Sequence, residues 1–180
     1  YFAATVFPLR DESPEYPSLL VVNHILGGGA LANRLVHRVR QKDGLPYGIR
    51  SGLSVASLDD RTAFYTYAIP KPGNMDKVKA AIREDLDLLR KDGVTDKELN
   101  AAKNGWLQSR EGSRGSESSL ASILAGTSFT NRTMGFHTGL ETKVRSVTAE
   151  QVLETVRKYR DPERIVIVAA GDFEKVKEEA

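Results

Sequence analysis

The sequence predicts an α+β fold of two layers, a mostly antiparallel sheet with helices packed on one face. Three observations lead there. Two β-type runs, 47–57 and 62–69, are joined by the short polar stretch Leu58-Asp59-Asp60-Arg61, as in a hairpin. Several helix-period segments follow in sequence, two of them opened by capping boxes. Strand-like runs also stand near both ends of the chain.

Taken in order, residues 1–7 are rich in aromatic and β-branched types and read as a strand. Residues 8–17 form a polar connection. From Ser18 the run LLVVNHIL is almost wholly apolar and stops at Gly27-Gly28-Gly29, which fits a buried helix with a glycine stop. A second helix is expected over 30–40, where Leu31, Leu35 and Val39 recur every four residues. Gly44 breaks it, and the hairpin follows. Pro70, Pro72 and Gly73 end the hairpin's second strand. Residues 76–91 place Val78, Ile82, Leu86 and Leu89 on one helical face, and Gly93 stops that helix. Thr95 and Glu98 form a capping box for a helix running to about Arg110, with Leu99, Ala102, Trp106 and Leu107 inward. A Gly/Ser/Glu-rich break at 112–119 precedes a small-residue helix over 120–130. Thr148 and Gln151 make a second capping box, opening a helix through Val152, Val156 and Tyr159. Residues 164–171, RIVIVAAG, form the strongest strand signal in the chain.

The chain has 180 residues and a mass of 19.8 kDa, enough for one sizeable core, so residues 1–180 are expected to form a single domain. It opens inside an apolar run without an initiator Met, and we expect it to be a segment of a longer polypeptide. No apolar run approaches the roughly 20 residues of a membrane span. The formal charge of +2 gives no case for a general polyanion binder. There is no cysteine, which removes disulfides, thiolate nucleophiles and cysteine-based zinc sites together. Metal or general-base chemistry would have to use carboxylates or His24, His37 and His137, the three histidines.

Neither HxxEH nor HExxH occurs, and His24 and His37 lie in different predicted elements. His24 reads as a packing residue and His37 as part of a solvated face, although folding could bring them together. No G-x-S-x-G elbow is present. Gly27-Gly28-Gly29 could offer backbone amides to an anion, but no Gly-Lys-Ser/Thr follows and a helix, not a strand, precedes. Arg34, His37, Arg38, Arg40 and Lys42 form a basic cluster without interleaved aromatics, so it reads as a solvated helix face rather than a nucleic-acid surface. The most informative stretch is 27–51, GGGALANRLVHRVRQKDGLPYGIRS. Arg40 and Tyr47 flank a turn there and could converge from a helix end and a strand start. A guanidinium and a phenol suit gripping a peptide carbonyl or the oxyanion formed from it.

This stretch resembles the non-catalytic half of the pitrilysin/insulinase family of zinc metallopeptidases, which includes the mitochondrial processing peptidase. The likeness rests on Arg40-Gln41-Lys42-Asp43-Gly44-Leu45-Pro46-Tyr47, on GGGALANRL, on the hairpin, on the Thr95 and Thr148 helices, and on the last strand before Gly171-Asp172. It departs from the family at Gln41-Lys42-Asp43, where an acidic residue more often follows the arginine. The resemblance implies a clam-shell peptidase of two similar halves. One half carries HxxEH and zinc, and the other lends an Arg/Tyr pair, here Arg40 and Tyr47, to hold the peptide substrate. Gly27, Gly28, Gly29 and Arg34 would then line the substrate cavity. No metal is expected in this chain alone, and its partner would be the HxxEH-bearing half, in the same polypeptide or a separate subunit. Family analogy suggests the periplasm. The alternatives are a structural or assembly subunit of the same fold, and an enzyme in its own right using His24 and His37 with a metal.

Overall fold

The computed structural model describes residues 1–29, 33–38 and 46–172. Four strands form one antiparallel sheet in the order β2-β3-β1-β4. They are β1 (Phe2–Phe7), β2 (Pro46–Val55), β3 (Thr62–Pro70) and β4 (Val166–Val168). Between them run α1 (Tyr16–Asn23), α2 (Met75–Asp92), α3 (Asp96–Arg114), α4 (Glu117–Phe129), α5 (Met134–Ser146) and α6 (Ala149–Tyr159). The α+β class with helices against the sheet is therefore observed.

Alternation along the strands sorts the two sheet faces. Ala3, Thr5, Phe7, Phe64, Thr66, Ala68, Ile49 and Ser51 point into the helical layer and are buried. Phe2, Val6 and Ile69 point the other way and are exposed. On that outer face Phe2 stacks on Tyr65 at 5.6 Å between ring centres. Tyr65 in turn lies across Gly52, where an added Cβ would come within 2.3 Å of its ring.

The helix α1 is apolar on every side because it is packed on every side: it meets α3, α5, α6 and β2. Leu19, Val21, Val22, Ile25 and Leu26 are buried with Phe7, Phe64, Val78, Leu86, Leu89, Val144, Val152 and Val156 in one core. Truncating any one of these leucines would cost about 2–5 kcal/mol. Both capping boxes form as the sequence implies. Thr95 accepts from the Glu98 amide at 3.2 Å, and Thr148 from the Gln151 amide at 3.2 Å.

Four features depart from the sequence expectation. The buried helix does not simply end at its glycines; it widens into a π-helical turn over His24–Gly28. α3 runs past Gly112 to Arg114, so the expected break shrinks to Gly115 and Ser116. A whole helix, α5, occupies a stretch rich in Gly and Thr with little local helix preference. Tertiary contacts hold it: Leu140 and Val144 enter the core, and Glu141 is paired with Arg114. The strongest strand signal yields the shortest strand. β4 lies at the sheet edge on β1, paired from Val166↔Ala4 to Val168↔Phe2.

The α2–α3 turn depends on Gly93, whose φ of 70° and ψ of −142° suit glycine almost alone. A Cβ there would meet only ordinary contacts with Leu153 at 3.8 Å, so the constraint is backbone conformation rather than space. Gly93→Ala is expected to lower unfolding free energy by roughly 1–3 kcal/mol in urea denaturation. A variant as stable as the parent would show that the turn has another accessible conformation.

Candidate functional site

Of the sequence-predicted residues, Gly27, Gly28 and Gly29 lie at the end of α1, where it approaches β2. Gly27 makes that approach possible. An added Cβ at Gly27 would lie 2.5 Å from the Ser51 amide nitrogen and 3.0 Å from Leu35 Cδ1. Backbone cannot yield as a side chain can, so only glycine fits. Ser51 fastens the same contact: its hydroxyl reaches the Asn23 carbonyl at 3.1 Å and Asn23 Oδ1 at 2.8 Å. Gly27 and Gly29 are buried and only Gly28 is exposed. Their contacts are internal, with Gly28 against Asn23 and Gly29 against His24.

Residues 34–38 are helical. Asn33 caps them, accepting the Val36 amide at 2.8 Å while donating to the Gly29 carbonyl at 2.6 Å. Arg34 is held rather than free. Its Nε and Nη2 donate to the two Glu98 carboxylate oxygens at 2.9 and 3.1 Å, and Nη2 also donates to the Gly93 carbonyl at 2.9 Å. Arg38 pairs with Glu84 on α2 at 2.6 Å. Two arginines thus fasten this helical turn to α2 and to the α2–α3 turn. With Asn33, His37, Lys97 and Glu98, Arg34 also lines a groove of about 570 Å3. Arg40 lies outside the described residues.

Tyr47 stands at the start of β2. The β2–β3 ladder pairs Pro46 with Pro70 and then Ile49 with Ala68, so β2 carries one extra residue there. A bulge of this kind re-aims side chains. Tyr47 is 74% exposed, second only to Phe129 among the large hydrophobic residues described. Gly48 beside it has nothing within 4 Å of an added Cβ. The hydroxyl of Tyr47 is therefore presented outward on a strand whose other end is anchored in the core.

The three histidines occupy separate settings. His24 packs into a notch at Gly105 of α3, where a Cβ would come 2.6 Å from its Nε2. Burial pushes its pKa down, so it is neutral near pH 7. His37 is exposed. His137 lies between Thr127 at 3.0 Å and Arg110 at 3.2 Å. Among the described residues no group of three His, Asp or Glu could hold a metal ion. The described residues include no set that fits a catalytic zinc. No described helix is long and apolar enough to cross a membrane.

Two contributors were not read from sequence. Gly105 had a signal, since a glycine inside an amphipathic helix marks a close approach. Glu98 was read as a cap alone; its second role toward Arg34 has no local signature. Burial raises the Glu98 pKa, but hydrogen bonds from Arg34 and the Thr95 amide outweigh it, leaving the carboxyl below its ordinary value of 4.5. A depressed folded pKa contributes stability that is present above the unfolded value and lost as pH falls through the folded one. Glu98→Gln should therefore flatten the fall in melting temperature between about pH 5 and pH 3. An unchanged acid limb would rule out a preferential hold on the ionised form.

Comparison with known proteins shows the family and the fold. The family described as peptidase M16 inactive domain matches residues 2–105, more than half of the chain. An uncharacterized zinc protease, YmxG of Bacillus subtilis, is 34% identical over 85 residues, which are 47% of this chain and 20% of that protein. The match thus spans about a fifth of that relative's length. A peptidase M16 inactive domain from Pseudomonas fluorescens superposes with a TM-score of 0.75 at 23% identity, covering 91% of this chain and 39% of that one. A chain of complex III2 from Candida albicans shares the fold, with a TM-score of 0.75 at 15% identity over 92% of this chain and 41% of its own. The match over residues 2–105 shows that this chain belongs to the peptidase M16 family, as an inactive domain of the zinc-protease type.

Proposed function

We propose that this chain is the substrate-binding half of a two-half zinc metalloendopeptidase. The observation that carries the reading is Tyr47, a phenol turned outward by a β-bulge at the head of a strand that is otherwise tied into the core. Nothing in its packing calls for a tyrosine there. Its hydroxyl would donate to the carbonyl of the bound peptide, and Arg40, seven residues earlier, would add a guanidinium to the same oxygen. Arg34 and Glu98 would hold the helical turn that leads to Arg40. Of the three glycines, Gly28 is the exposed one and would border the peptide; Gly27 and Gly29 set the backbone path. The HxxEH-bearing half, in the same polypeptide or beside it, would bring zinc, which activates water. The periplasm remains the compartment we infer by family analogy.

A second reading is an assembly subunit without proteolytic role. The shared fold with a chain of complex III2 favours it. Tyr47 separates the two, since a purely structural subunit has no use for a solvent-directed phenol at a bulge.

The test is peptide hydrolysis by this chain combined with the HxxEH-bearing half. Tyr47→Phe should leave the melting temperature unchanged, because the side chain is exposed, and should lower kcat by on the order of tenfold to a thousandfold. Parental kcat in the variant would overturn the role given to the hydroxyl.

A further inference from the structure

The last residue before the α6 exit turn is the most conspicuous charge in the molecule. Arg160 is 0% exposed and is the largest fully buried side chain among the described residues. Its Nη1 donates to Thr5 Oγ1 and to the Phe64 carbonyl, both at 3.3 Å, and its guanidinium lies 4.2 Å from the centre of the Phe64 ring. Its Nε and Nη2 are buried without any acceptor among the described residues. No carboxylate pairs with it there. An isolated buried charge is costly unless something balances it. Burial pushes the Arg160 pKa down to about 10, which still leaves a cation at neutral pH. Burial raises the pKa of nearby Tyr1, so that phenol is neutral and supplies no countercharge.

Arg160 also lines a cavity of about 40 Å3 between the sheet and α2. Lys79, Arg83, Thr66 and Tyr1 line it too, and the wall contains no Asp or Glu. Arg83 is already neutralised by Glu163 and Asp87. Lys79 makes no ion pair with the described residues, so two uncompensated cations border one small space. A cavity of this size holds about two waters or one small ion. It is too small for a peptide side chain with its backbone.

We propose that this cavity is a binding site for a small monovalent inorganic anion of chloride size, held by the unpartnered Nε and Nη2 of Arg160 with Lys79 at its mouth. The anion would complete the hydrogen bonding of the guanidinium and balance its charge. It would thereby tie α6 and α2 to the inner face of β1 and β3, where Thr5, Thr66 and Phe64 stand. The site lies in the helix–sheet interior and is separate from Tyr47 and its surroundings.

The test compares the purified chain in sodium chloride and in sodium gluconate at matched ionic strength, because gluconate is too large to enter. Chloride should raise the melting temperature saturably, by roughly 3 °C at full occupancy. Crystals soaked in sodium bromide should show an anomalous peak within hydrogen-bonding distance of Arg160. Arg160→Met should abolish the chloride dependence. If that variant does not fold, Lys79→Met replaces an exposed side chain and should raise the half-saturating chloride concentration several-fold. Equal melting in the two salts, a chloride response unchanged in Lys79→Met, or water alone in the bromide-soaked cavity would each overturn the proposal.

Discussion

The close approach of α1 to β2 is the contact on which the helical layer depends. Gly27 lets the end of the buried helix lie against the Ser51 backbone, and the Ser51 hydroxyl closes the gap onto Asn23. A methyl group at Gly27 would force the two backbones apart. Because α1 sits this low on the sheet, it can be apolar all round and still be covered by α3, α5 and α6. The π-helical turn at His24–Gly28 belongs to the same constraint.

A second fastening point builds on the first. Gly93 turns the chain between α2 and α3 and offers its carbonyl to Arg34, while Glu98 both caps α3 and receives the Arg34 guanidinium. One turn of chain is thus held by a glycine conformation, a cap and a bidentate ion pair. Charge-assisted bidentate pairs are directional, so they fix position as well as adding stability. The strand that follows in sequence presents Tyr47 from a bulge. A rigid frame with one outward phenol is what a binding half needs, since a loosely held donor would lose the advantage of pre-organisation.

Much of this was legible in the residues. Val78, Ile82, Leu86 and Leu89 named the inner face of α2, and both Thr capping boxes formed where their spacing places them. The resemblance carried by the stretch around Tyr47 agrees with the family match over residues 2–105. What stayed hidden depends on partners distant in sequence. Helix α5 follows from Leu140 and Val144 finding the core and Glu141 finding Arg114, not from its own Thr and Gly content. β4 pairs with β1 over only three residues, although its composition is the most strand-like in the chain. The burial of Arg160 has no local signature at all, since an arginine just past a helix C-terminus ordinarily faces water. Arg34 looked like a member of a solvated basic face; Glu98, 64 residues away, decides otherwise.

The central claim is a division of labour: this chain supplies the frame and the carbonyl-binding phenol, and another half supplies the metal. The most direct measurement is zinc content together with peptide hydrolysis, for the purified chain alone and for its mixture with the HxxEH-bearing half. The account predicts no stoichiometric zinc and no hydrolysis for the chain alone, with both appearing in the mixture. Stoichiometric zinc and peptide cleavage by the chain alone would contradict it.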